Sequence, residues 1–132
     1  WSSDVCSSDL DSACCAVVDG ISGAAVLCDH MREMKAPKGY VVEASASTVI
    51  SAASLVLDGL KDGTLAHASM DGSQAELDDS ATTSVKRPIG TKGGWGFGSA
   101  DGHDSCAIEA ASLALWGAKN SKRRPGRKQR RI

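Results

Sequence analysis

The stretch KRPIGTKGGWGFGSADGHDSCAIEAASLALW, Lys86 to Trp116, carries an extended, glycine-rich segment straight into an alanine-rich helix. Arg87 to Gly98 is read as extended, with Trp95 and Phe97 alternating against glycines, as in a strand with one packed face. Ser105 to Ala118 is read as the last helix. Asp104 stands at the junction, where a carboxylate could complete a metal site. It could equally cap the helix, because aspartate in this position accepts backbone N–H groups and complements the helix dipole.

Working outward, Cys14 to Val18 is a short apolar run that ends on Asp19-Gly20. Such a run suits a strand buried on both faces, as in a parallel sheet. Asp19 then lies at its C-terminal end, where ligands collect in α/β sheets, although an Asp-Gly turn explains the same residues. Ala24, Leu27, Cys28 and Met31 recur at helical spacing, so a helix is expected over 22–34, followed by a strand over Gly39–Glu43. Ser47 is expected to cap a helix whose face is Val49, Ala52, Ala53, Val56, Leu57 and Leu60, ending near Gly63. Leu65–His67 is read as a short strand and 73–83 as a weaker helix anchored by Leu77. Strands alternating with helices indicate an α/β layered fold.

The net charge of −1 hides a division. Every carboxylate lies at or before Glu109, whereas Lys119 to Ile132 is purely basic among its charged residues. That tail, with Pro125-Gly126, reads as a solvated, disordered extension able to hold nucleic-acid phosphates, each contact releasing a counterion. Lys122, Arg123, Arg124, Arg127 and Lys128 are its candidate DNA contacts. Cys14, Cys15, Cys28 and Cys106 show no CxxC or zinc-like spacing, which fits free thiols in a reducing cytosol. No apolar run is long enough to span a bilayer. The glycines of 90–98 match neither GxxxxGK[ST] nor GxGxxG, so a flexible hairpin relieving crowding around Trp95 and Phe97 is preferred to a phosphate loop. His30, His67 and His103 are scattered, and no GxSxG elbow supports a serine hydrolase.

Trp1 to Leu10, WSSDVCSSDL, resembles the translation of a sequencing adapter and is set apart from the fold. Residues 11–118 are then one domain that has lost its natural start, and 119–132 the basic tail.

Taken in order, VVDG, the helix STVISAASLVLDGLKDG, LAH, KRPIG, GGWGFG and D-x4-E-A-A-x-L-A-L-W resemble the C-terminal nuclease domain of tailed-phage terminase large subunits. The similarity runs from about Ala13 to Trp116 and is most specific over Arg87–Trp116. It implies a partial ribonuclease H-like fold, a mixed sheet flanked by helices that lacks its first strands. It also implies two Mg2+ or Mn2+ ions about 3.5–4 Å apart, held by carboxylates from several elements. Asp19 matches the family's second carboxylate and Asp104 its last. The first would lie on a strand upstream of Asp11, so the parent protein is expected to be the enzyme and this piece inactive.

Asp101 is a fallback for Asp104, Glu109 an auxiliary ligand, and Lys86 and Arg87 phosphate contacts. The resemblance further implies double-stranded DNA, the portal and the small terminase subunit as partners, no membrane, and the cytoplasm of an infected or lysogenic bacterium. Two other readings stay open. One is a non-catalytic nucleic-acid or partner-binding module that works through its tail. The other is a different ribonuclease H-like enzyme, such as a resolvase or an integrase-type recombinase.

Overall fold

A computed structural model describes residues 13–20, 23–66, 72 and 74–125. The adapter-like start, Ser22, His67, Ser73, Arg127 and Lys128 lie outside the described residues. The chain is α/β and divides into two compact units, one of residues 1–44 and 117–132 and one of residues 45–116.

In the first unit, β1 (Ala16–Val18) leads through α1 (Ala24–Glu33) to β2 (Val41–Glu43), and the two strands pair in parallel with Val17 opposite Val42. A parallel pair requires such a crossover. Among the described residues of this unit, Cys28 and Tyr40 are the buried side chains. Arg32 binds Asp29 at 2.9 Å and Glu43 at 2.8 Å, tying α1 to β2. Both ion pairs are exposed, so they are worth little in stability.

In the second unit, α2 (Ala46–Lys61), α3 (Ala75–Thr83), β3 (Val85–Ile89), β4 (Gly94–Gly98) and most of α4 (Cys106–Asn120) follow one another. The face of α2 read from the sequence is buried through Val49, Ala52, Ala53 and Val56, but Leu57 is only half-buried and Leu60, in the last turn, is exposed. Its cap is Ser45 rather than Ser47: the Ser45 side chain accepts from the Thr48 N–H, and Ser47 bonds only to the Ser45 hydroxyl. Ser45 has the extended backbone that a cap requires, with φ −93° and ψ 167°, whereas Ser47 is already helical.

Arg87 to Gly98, read as extended and its glycines as a hairpin, belongs to an antiparallel hairpin, Lys86 opposite Phe97 and Pro88 opposite Trp95, turning through 90–93. Two further expectations are corrected. Leu65 and Ala66 form no strand. Among the described residues the strands make two pairs, one parallel and one antiparallel, rather than one mixed sheet. Pro88, which has no N–H to give a ladder, suits β3 to the edge position it holds.

The hairpin glycines do something other than relieve the aromatic rings. A Cβ on Gly96 would stand 3.2 Å from Val49 Cγ1 and 2.9 Å from Ile89 Cδ1, and one on Gly94 would collide with Ile50 Cδ1. The alternating glycines therefore form a flat face that admits α2 against the strand backbone. Gly117, buried in the last turn of α4, works alike in the first unit: a Cβ there would come within 2.8 Å of Cys15 Sγ and Val17 Cγ2.

The tail is also more ordered at its root than its composition implies. Helix α4 includes Lys119 and Asn120. Beyond it the Ser121 hydroxyl donates to the Cys14 carbonyl, and Arg123 donates to the carbonyls of Ala13 and Cys14 at 3.3 and 3.0 Å. The Arg123 guanidinium lies 5.1 Å from the Tyr40 ring centre. Backbone acceptors and an aromatic face offset its lost hydration.

Candidate metal-binding carboxylates and basic residues

Asp19 follows β1 directly and is exposed, so its carboxylate stands at the C-terminal end of a parallel strand. Its Oδ1 accepts from the Gly20 N–H at 2.8 Å, the local bond of an Asp-Gly turn.

Asp104 belongs to the second unit, and Asp19 to the first. Its Oδ1 accepts from the Cys106 N–H at 2.9 Å, so it satisfies one of the free N–H groups that open α4. The Cys106 thiol and this N–H, in that order of importance, hold the Asp104 carboxyl below the usual carboxylate range. The same carboxylate raises the Cys106 thiol above its ordinary value, chiefly through their side-chain hydrogen bond. Cys106, although exposed, is thereby kept as a thiol rather than a nucleophilic thiolate.

Ser105, buried beside it, completes the helix start. Its N–H donates to Ser99 Oγ, and its hydroxyl donates to Glu109 Oε1 at 2.5 Å. Glu109 is thus half-buried and turned to its own helix rather than presented alone. The buried Ser80 hydroxyl accepts from the Ile108 N–H at 3.0 Å, which fastens α3 to the first turn of α4. Asp101 is exposed in the turn before them.

Sequence reasoning missed Glu76 and Asp79. These two residues of α3 line an open hollow together with Asp104, Cys106 and Ala107, and Asp79 Oδ2 lies 3.5 Å from His103 Nδ1. Their spacing of three along a helix was a signal that they share a face, but not of what they face. Among the described residues, no three His, Cys, Asp or Glu side chains stand together as a metal cage.

Of the basic candidates, Lys86 has its ammonium 4.5 Å from the Trp95 ring centre, and Arg87 Nε donates to the Phe97 carbonyl at 3.4 Å. Lys122 and Arg124 are exposed, and Arg124 donates to the carbonyls of Ser121 and Arg123. Arg123, by contrast, is engaged with its own unit. No described helix is long and apolar enough to cross a membrane. The chain matches no family model, no curated protein and no solved structure.

Proposed function

We propose that residues 11–118 are part of the nuclease domain of a terminase large subunit from a tailed phage or prophage, a ribonuclease H-like hydrolase of double-stranded DNA. The observation that carries this reading is Asp19: an exposed carboxylate directly beyond the end of a parallel strand in a strand–helix–strand unit. That is where α/β sheets hold their ligands. Asp104 adds a second oxygen donor, its carboxyl held below the usual carboxylate range by Cys106.

Carboxylate oxygens are the donors that Mg2+ or Mn2+ prefer, so the residue chemistry fits the ions. Bound there, such ions would activate water and steady the departing 3′ oxygen. Asp19 and Asp104 would hold them, with Glu109 or Asp101 in support and the family's first carboxylate supplied by sequence upstream of Asp11. Lys86, Arg87, Lys122 and Arg124 would meet phosphates. The portal and small terminase subunit would be the partners, in the cytoplasm of the bacterial host.

A second reading, a non-catalytic nucleic-acid-binding module, is favoured by one specific observation. Both aspartates accept N–H groups of their own turns, as purely structural residues would. The adjoining gene sequence separates the two, and it also separates a terminase from a resolvase or recombinase. An upstream strand bearing an aspartate, behind a Walker-type ATPase, is expected. Its absence overturns the terminase reading. Cleavage by the longer protein that survives both Asp19→Asn and Asp104→Asn would establish that these carboxylates hold no catalytic ion.

A further inference from the structure

Directly opposed residues of an antiparallel pair share a face, so Lys86, Pro88, Trp95 and Phe97 lie together on one side of the hairpin. The other side is the glycine face taken up by Val49, Ile50 and Ile89. On the first side Trp95 and Phe97 meet edge to face, ring centres 5.5 Å apart at 84°, and both are half-buried. The Lys86 ammonium rests over the indole. From Val85 to Ala100 the sequence has three cations, Lys86, Arg87 and Lys92, and no carboxylate. Among the described residues none of the three forms an ion pair, and Lys92 is exposed in the turn at the hairpin tip.

From this we infer that the Lys86–Trp95–Phe97 face is a docking surface for single-stranded nucleic acid. A strand of nucleic acid offers both things this face lacks: an anion for Lys86, with Lys92 at the hairpin tip within the same cationic segment, and flat rings for an aromatic pair. Base stacking on aromatic side chains tolerates any sequence, because every base has a π-face. On binding, Lys86 leaves the indole for a phosphate and a base takes its place on Trp95. A duplex would satisfy the lysines but leave its bases stacked on one another and the aromatic pair unused. The surface lies on the hairpin and involves neither Asp19 nor Asp104; it shares only Lys86 with the nuclease reading, and the preference for a single strand through Trp95 stands or falls apart from it.

The test is fluorescence anisotropy of the full chain with labelled oligothymidylate and with a duplex of equal length, in chelator, over a salt series. Trp95→Leu is expected to weaken oligothymidylate binding roughly five- to a hundred-fold, the range for losing one stacked base. It should barely change binding to the duplex. Lys86→Gln should lower the slope of log affinity against log salt by about 0.7, as for one phosphate contact to a single strand. Trp95→Phe, which keeps a ring and the hairpin, should retain most of the affinity. Lys86→Gln therefore decides the matter even where Trp95→Leu disturbs the fold. Oligothymidylate binding whose salt slope Lys86→Gln leaves unchanged, and that Lys122→Ala with Arg124→Ala abolishes, would place it on the tail and overturn the inference. So would equal competition by polyglutamate, which brings charge without rings.

Discussion

Ile50 of α2 occupies the space that a side chain on Gly94 would need, and the Ile89 carbonyl oxygen lies 2.9 Å from the same point. The contact between helix and hairpin is therefore built on a missing methyl group. Gly94→Ala must displace backbone as well as a flexible side chain. Overpacking of this kind costs about 1–3 kcal/mol. Urea unfolding should show that loss for Gly94→Ala and for Gly96→Ala, while Thr91→Ala in the exposed turn should leave the midpoint within error.

The start of α2 supplies a second test, because two serines compete for one role. Ser45→Ala should cost about 1 kcal/mol by removing the side chain that accepts from Thr48 N–H. Ser47→Ala should cost clearly less. A reversed order in thermal unfolding would return the cap to Ser47.

Asp104 and Cys106 should be linked in both reactivity and pH dependence. The Asp104 carboxyl titrates below its ordinary 3.8 in the folded chain, so its contribution to stability is present above that value and fades as the pH falls through the folded one. The Cys106 thiol titrates above its ordinary 9.0, so its contribution is present below 9.0 and fades as the pH rises through the raised value. Asp104→Asn should flatten both limbs of the stability profile. It should also make Cys106 alkylate severalfold faster at mildly alkaline pH, read by mass spectrometry of the peptide. An unchanged alkylation rate would show that the two side chains do not interact.

For function, the protein extended by its upstream sequence should nick plasmid DNA in Mg2+. Asp19→Asn and Asp104→Asn should each reduce this to the metal-free background. An asparagine oxygen can accept the Cys106 N–H as the Asp104 carboxylate does, so Asp104→Asn should fold normally and isolate the carboxylate's charge. Asp101→Asn should have little effect, since Asp101 sits exposed in a turn.

The buried face of α2 was legible in the sequence because Val49, Ala52, Ala53 and Val56 recur at helical spacing, and that periodicity is a local property. The strand before Asp19 was legible for the same reason, as an unbroken apolar run closed by Asp-Gly. The choice between Ser45 and Ser47 was not, because both residues suit a cap and only the backbone turn separates them. The work of Gly94 and Gly96 depends on a helix more than thirty positions earlier, which no local pattern records. Likewise the hollow that Asp104 shares with Glu76 and Asp79 is made by α3 meeting the start of α4, through the bond from Ile108 N–H to Ser80. Charge density did not foretell the place of Arg123, whose partners are carbonyls near the other end of the chain.

The most direct measurement is a Mn2+ titration of the isotope-labelled, upstream-extended protein, following the backbone resonances next to Asp19 and Asp104. Paramagnetic broadening should reach both at the same sub-stoichiometric Mn2+, and Asp104→Asn should remove it from both. Broadening that affects the two at different Mn2+ levels, or that persists around Asp19 in Asp104→Asn, would mean that these carboxylates share no ion and would contradict the nuclease assignment.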